Sequence, residues 1–529
     1  MPLPTPARRA LALLATALLA TGALAQGNGT GTGTGTVGAT TGDDALVAQG
    51  QRIYEQGILA GGSPLSARAA GGVTLSGAGA ACAVCHRPSG HGAREGESRV
   101  ASITGPTLYA KPIFHQAERS GHPERPMVPP RRFARSAYDD ALLVRAITQG
   151  IDPDSQPLEA LMPRYELDRD SARALVAYLR QLGAATDPGV SAGSVRFATV
   201  VTDETDPRQR AIFLETLHAW SERGSVSGLE TPLDVWELRG PPADWPAQLA
   251  AYQARQPAFA LVSALGVSGW DGVQAFCESQ RLPCLFPLLD VTPPPASRYA
   301  YYLTGGARLE ARALAKWLDA GGSPQVVQLA EDDAGREAAA QLAASYGGVA
   351  STRKPGPDAL PADATTVVAW VRTAGVGRLL ATLPAGATLY LSDRLAPPRS
   401  VEVPQALRPR VRWISSRTDP QRLHAQALIE TNPWLRSIGV APGDEALQSE
   451  LRVATWLVAD ALARMHGEWN REYLLETLES GMQPRPIVRI YQDFSLAVGQ
   501  RLAVPGARVL GWPEPAAPAP VAISGLLIP

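Results

Sequence analysis

The chain has 529 residues, of which 45% are hydrophobic and 19% charged, and its formal net charge is −1. That length holds two large domains or about three ordinary ones, with ample apolar material for packed cores. A charge so near zero excludes the basic bias of a nucleic-acid-binding protein, and the 46 prolines and 50 glycines are spread out instead of marking one disordered tract.

The opening stretch, MPLPTPARRALALLATALLATGALAQ, predicts a secretory signal peptide over residues 1–25. Arg8 and Arg9 form its positive start, Ala10 to Thr21 its apolar middle, and Ala23-Leu24-Ala25 an A-x-A cleavage site. The apolar part falls short of the about 20 residues that a membrane span needs, and no later segment is apolar enough to span. The expectation is export with cleavage. The signal type and the Ala-, Gly- and Arg-rich composition point to the periplasm of a Gram-negative bacterium. Residues 26–42 are Gly/Thr-rich with no bulky apolar side chain beyond Val37, which predicts a flexible linker.

The four cysteines fall in two pairs, Cys82 with Cys85 and Cys277 with Cys284. In an oxidising compartment each pair calls for a bond or a bound group. The first pair lies in GAACAVCHRPSGHG, residues 79–92. C-x-x-C-H marks covalent attachment of a c-type haem. Each thiol adds to one vinyl group, one helical turn sets the sulfurs at the vinyl separation, and His86 is aimed at the iron. A zinc site would need a second ligand pair nearby, and the other cysteines are far along the chain. A bare redox disulfide would leave His86 unexplained.

Residues 43–58, DDALVAQGQRIYEQGI, predict a helix with Leu46, Val47, Gly50, Ile53 and Tyr54 on one face. Residues 168–183, DRDSARALVAYLRQLG, predict a second, with Asp168 as N-cap, Leu175, Val176 and Leu179 in the apolar stripe and Gly183 as its stop. With the C-x-x-C-H turn between them, residues 43–185 resemble a class I c-type cytochrome, an all-α domain. The resemblance implies that the two helices cross at Gly50 and pack Tyr54 and Tyr178. It also implies Met162, in LMPRYELDRD, as the second axial ligand beside His86. Met127 is the rival, and His91, His115 or His122 would give bis-histidine ligation. The Gly105-Pro106-Thr107-Leu108 stretch implies the Pro106 carbonyl as acceptor for the other nitrogen of His86. The basic residues between 90 and 135 (Arg94, Arg99, Lys111, Arg119, Arg125, Arg131, Arg132) belong either to a solvated loop or to propionate pairing or partner docking.

After a short linker, residues 186–194, the pattern becomes βαβ. Apolar runs at 195–201, 233–238, 259–265 and 283–289 alternate with helical stretches near 208–221, 245–255 and 270–279. The alternation resumes with runs at 325–331, 366–371 and 388–393 and helices near 335–345 and 376–383. This is the rhythm of parallel sheets covered by helices, and the span is long enough for two lobes. FALVSALGVSGWDGVQAFCESQRLPCLFPLLD (259–290), YYLTGGARLEARALAKWL (301–318), VVQLAEDDAGREAAAQL (326–342) and LYLSDRL (389–395) resemble the type I periplasmic binding proteins, the family of leucine/isoleucine/valine receptors. The resemblance implies an α/β two-lobed domain over 195–512, before a Pro/Ala-rich tail at 513–529. It implies a small-molecule cleft lined by loops after the strands, with Thr202, Asp203, Ser263, Ser268, Trp270 and Asp393 as candidates. Cys277 and Cys284 flank a helix end and a strand start, where a local disulfide closes the turn. Within residues 195–529, G-x-S-x-G, H-E-x-x-H and Walker A motifs are absent.

The combined expectation is a periplasmic monohaem c-type cytochrome with a fused ligand- or partner-binding module. It is an electron carrier and not an enzyme, serving a redox partner such as a periplasmic dehydrogenase or another cytochrome. The alternative is a periplasmic solute receptor or sensor with an accessory haem domain. A third reading is an oxidoreductase whose substrate reaches an open haem position.

Overall fold

The computed structural model describes residues 41–95, 98–110, 135–223, 228–322, 324–356, 359–480, 489–491 and 493–529. The signal peptide, nearly all of the Gly/Thr-rich linker, and Met127, His115 and His122 therefore lie outside the described residues. Leu46–Pro529 forms one compact unit.

Helix α1 (Thr41–Gln56) is followed by strands β1 (Ser66–Arg68) and β2 (Thr74–Ser76), the one-turn helix α2 (Ala83–His86), and the two-residue strands β3 (Arg94–Glu95) and β4 (Ser98–Arg99). Helices α3 (Gly105–Tyr109) and α4 (Asp140–Gln149), strand β5 (Arg164–Glu166) and helix α5 (Arg169–Gln181) complete this part. Asp139 and Asp168 cap α4 and α5, each side chain accepting the backbone N–H three residues on. α1 and α5 cross at Gly50, where a Cβ would collide with the Ala174 carbonyl. The rings of Tyr54 and Tyr178 meet beside the crossing, 5.3 Å apart. Ile53, Leu65, Leu108, Leu143, Ile147, Leu175 and Leu179 fill the core. The expectation of an all-α domain is corrected. β1 pairs antiparallel with both β2 and β5, so a three-stranded sheet lies among the helices.

The expected linker at 186–194 is also corrected, because it is built into the fold. Strands β6 (Val190–Ser191) and β7 (Ser194–Val195) form a hairpin, and the Arg471 N–H donates to the Asp187 carboxylate at 2.6 Å. The first lobe follows: β8 (Phe197–Thr202), α6 (Pro207–Arg223), β9 (Leu233–Leu238), α7 (Trp245–Arg255), β10 (Ala260–Gly266), α8 (Asp271–Ser279), β11 (Cys284–Leu285), β12 (Leu288–Leu289) and β13 (Ala300–Tyr301). Its strands are parallel in the order β13-β11-β10-β8-β9, with β12 also on β10. β8 and β10 are buried along their whole length, as central parallel strands covered on both faces must be.

The second lobe contains α9 (Gly306–Ala320), β14 (Val326–Ala330), α10 (Asp333–Ser345), β15 (Val349–Arg353), β16 (Thr366–Trp370), α11 (Thr373–Ala381), β17 (Thr388–Ser392) and β18 (Val411–Ser415). The chain then returns to the first lobe as α12 (Pro420–Gln426), α13 (Asn432–Ser437), α14 (Glu445–Met465) and α15 (Arg471–Ser480). α14 buries Leu451, Ala454, Leu457 and Val458 against Phe213, Leu217, Val262 and Leu288 of the first lobe. Burial of each Leu, Val or Phe among them contributes about 1.5–3 kcal/mol. A last crossing leads to β19 (Arg508–Gly511) and β20 (Val521–Ala522), which extend the second sheet to the order β15-β14-β16-β17-β18-β19-β20. The expected tail at 513–529 is thus corrected: β20 pairs with β19, and Leu527 bridges to Ala507. The two-lobed part therefore runs to the last residue described.

Three stretches link the lobes: between β13 and α9, between β18 and α12, and before β19. The first and third lie side by side, with Tyr302 N–H donating to Arg501 O and Ala503 N–H to Tyr302 O, both at 2.9 Å.

Candidate functional site

The C-x-x-C-H residues sit on a single turn. Cys82 is the N-cap of α2 and His86 its last residue. Among the described residues the disulfide joins Cys277 to Cys284, with Cα atoms 6.3 Å apart. It links the end of α8 to the start of β11. Cys82 and His86 are buried and Cys85 is exposed. Burial pushes the Cys82 thiol up to about 12. His86 is held below its usual range by burial, against a smaller upward push from its bond to Ala101. Nδ1 of His86 lies 2.9 Å from the Ala101 carbonyl. That bond fixes the tautomer and leaves Nε2 as the nitrogen for a metal.

Ala101 replaces the expected Pro106 as this acceptor. Pro106 lies in the first turn of α3, past the point where the chain already brings the Ala101 carbonyl to the ring. Met162 is half-buried and packs on the apolar cluster that contains Cys82, Leu108 and Tyr165. Its carbonyl accepts from the Arg164 guanidinium. His91 is committed elsewhere, its ring stacked on Tyr473 of α15 with centroids 4.1 Å apart. A helical turn carrying two thiols, followed by an imidazole with only Nε2 to offer, is a donor set that fits a covalently held haem.

The second candidate site is the cleft between the lobes. Thr202 ends β8 and is fully buried, and its Oγ1 has no hydrogen-bond partner among the described residues. Asp203 is exposed and accepts from Gly240 N–H at 3.0 Å. Ser268 is buried in the loop between β10 and α8. Ser263 and Trp270 are corrected. Ser263 lies inside β10, in left-handed backbone at a break in register, and its Oγ donates to the Phe286 carbonyl at 3.2 Å. Trp270 is a core side chain that meets Trp245 edge to face.

Asp393 follows β17 and is buried, with its charge already paired. It accepts from Ser415 Oγ at 2.6 Å and from Arg417 Nε at 2.9 Å. Around it the structure gathers residues for which the sequence offered no motif. Glu450 of α14, in the first lobe, meets Arg394 Nη1 at 2.9 Å and Arg417 Nη1 at 3.7 Å, both arginines belonging to the second lobe. Tyr491 Oη donates to the same carboxylate at 2.9 Å. Asp290, at the end of β12, pairs with Arg372 at 2.5 Å and with Arg394 at 3.4 Å. Burial pushes Glu450 up, but Arg394 and Arg417 outweigh it and hold the carboxyl below its usual range. Glu310 beside them is raised well above its usual range by burial and by Asp393. Each of the three arginines follows the end of a second-lobe strand, where ligand loops of α/β sheets are placed. Charged residues just after β16, β17 and β18 were the available signal.

No protein-family model matches the chain, and no curated protein matches it. Among solved structures, a branched-chain amino acid ABC transporter protein of Thermus thermophilus, described with bound valine, has a TM-score of 0.50 at 13% identity. The match covers 64% of this chain and 97% of that one. A leucine-binding protein of Thermotoga maritima scores 0.46 at 12% identity, covering 63% of this chain and 99% of its own. A possible leucine/isoleucine/valine-binding protein of Rhodopirellula baltica scores 0.47 at 11%, covering 64% and 98%. The last two add no argument, and the first establishes a fold. About two-thirds of this chain is a two-lobed α/β structure of the periplasmic-binding-protein type. Among the described residues no helix is long and apolar enough to cross a membrane.

Proposed function

We propose that this chain is an exported electron carrier, a monohaem c-type cytochrome domain joined to a binding-protein-fold module. The observation that carries the reading is the turn Ala83–His86, which is N-capped by Cys82, contains Cys85 and ends in a histidine whose Nδ1 is engaged by the Ala101 carbonyl. A bound haem would supply a one-electron ferric/ferrous couple. Cys82 and Cys85 would hold it by thioether bonds, and His86 Nε2 would bind its iron. Met162 is the candidate for a second iron ligand, a thioether that would favour the ferrous state. Residues 1–25 provide the export signal in this reading, and the Cys277–Cys284 disulfide suits an oxidising compartment such as the periplasm. The redox partner is a periplasmic dehydrogenase or another cytochrome.

The test is haem that stays with the polypeptide through denaturing electrophoresis and is lost in Cys82→Ala and Cys85→Ala. An exported protein without covalent haem overturns the proposal. Loss of the far-red ferric Met–haem band in Met162→Ala is the expected result for that ligand, and an unchanged band removes Met162 from the site.

A second reading, a periplasmic solute receptor with an accessory haem, is favoured by the fold shared with a protein described with bound valine. A ligand entering between these lobes would have to displace the pairing of Arg394 and Arg417 with Glu450. Amino acids titrated against the whole protein, with small-angle scattering as readout, decide it. Ligand-driven change in lobe separation with unchanged electron-transfer rates supports the receptor reading.

A further inference from the structure

Residues 87–91, directly after His86, are held by one face of α15. The Arg87 guanidinium meets Glu479 Oε2 at 2.5 Å. Ser89 donates from its N–H to Glu476 Oε1 at 2.8 Å and from Oγ to Oε2 at 2.5 Å. His91 stacks on Tyr473. Tyr473, Glu476 and Glu479 are three residues apart along the helix and so share one face.

Arg87 has φ 64° and ψ 159°, a backbone conformation essentially reserved for glycine. Such a conformation persists only where the surroundings over-determine it. Here Tyr54 Oη donates to the Arg87 carbonyl at 2.6 Å from the cytochrome-like side. Glu479 holds the guanidinium from the other.

Glu479 has a second set of partners. Its Oε1 accepts from Tyr301 Oη at 2.9 Å and from Arg501 Nη1 at 2.7 Å. Tyr301 ends β13 and leads into the first crossover. Arg501 opens the third, and its carbonyl takes the Tyr302 N–H. One buried carboxylate thus touches the residue next to His86 and both paired crossover strands.

Resting on the haem reading above, we propose that Glu479 is a positioning residue through which the angle between the lobes sets the strained backbone at Arg87 and hence the orientation of His86. Opening the lobes would bend the paired crossovers at Tyr301 and Arg501, and Glu479, bonded to both, would pass the change to Arg87. Linkage makes the effect reciprocal, so haem reduction would also bias the lobe angle.

The test uses the full exported chain. Tyr301→Phe changes no charge and touches no residue of the cytochrome-like part, and Glu479→Gln keeps the shape of the linking residue. The readouts are the haem midpoint potential, the ferric paramagnetic NMR shifts of His86, and amide hydrogen exchange at residues 87–91. Both variants are expected to shift the potential and the His86 signals and to speed exchange at 87–91 at least tenfold. An effect of Glu479→Gln with none from Tyr301→Phe overturns the coupling, because the carboxylate then acts only as a nearby charge. Should the wild-type protein carry no covalent haem, the exchange readout separates the two ideas. Faster exchange in Tyr301→Phe keeps the mechanical link while the haem reading falls, and unchanged exchange overturns the link too.

Discussion

Glu450→Ala is the sharpest test of the charge network between the lobes. The Glu450 side chain is 3% exposed, and those of Arg394 and Arg417 are 13% and 6% exposed. Removing one partner of a buried pair costs about 3–5 kcal/mol, because the charge left behind has lost its counter-ion in a place that water cannot reach. Asp290 and Asp393 still face the two arginines, which puts the expected loss near the lower end, about 3 kcal/mol. At about 2–4 °C per kcal/mol for a large domain, the unfolding midpoint of the two-lobed part should fall by about 6–12 °C. Calorimetry on the whole chain measures this, and small-angle scattering should show a larger radius as the lobes part. A loss below about 1 kcal/mol, the range of exposed ion pairs, with unchanged scattering would refute the claim that desolvated charges hold the lobes together.

Gly50→Ala should cost about 1–3 kcal/mol by overpacking, since the new Cβ falls on the Ala174 carbonyl and within 2.6 Å of Tyr178 Cβ; a neutral result in thermal melts would mean that α1 and α5 can separate freely. Burial pushes Glu476 up to about 7, against about 4.3 in an unfolded chain. The folded state therefore binds more protons between those values. Its stability should fall as pH rises through that window and level off above it. Glu476→Gln should flatten the dependence in denaturant titrations at stepped pH. The cysteines of the Cys277–Cys284 disulfide are seven positions apart, so Cys277→Ser/Cys284→Ser should lower stability by about 2 kcal/mol from loop-closure entropy, read as a shift in urea midpoint.

The residues from 195 onward were legible as parallel-sheet architecture because strands buried on both faces, such as FATVVT and ALVSALG, are unbroken apolar runs. Caps were legible for the same local reason, as Asp168 before α5 illustrates. The errors fell where contact partners are chosen by path and not by neighbours in sequence. Pro106 was expected beneath His86, yet the chain brings Ala101 there. Ser263 and Trp270 were expected to face the cleft, yet a register break and a core of tryptophans turn them inward.

Local chemistry is written in short stretches: the thiols and imidazole of CAVCH, the capped amphipathic helices, and the apolar strands. These depend on spacing within one turn or one strand, and residues 43–185 and 195–415 can be read from them. Pairings between distant positions follow a different logic. Arg87 meets Glu479 across 392 positions, and Arg394 meets Glu450 across 56. No period or motif links such residues. They meet because the second crossover returns α14 and α15 to the first lobe, and because a buried charge must find its counter-ion wherever the fold delivers one.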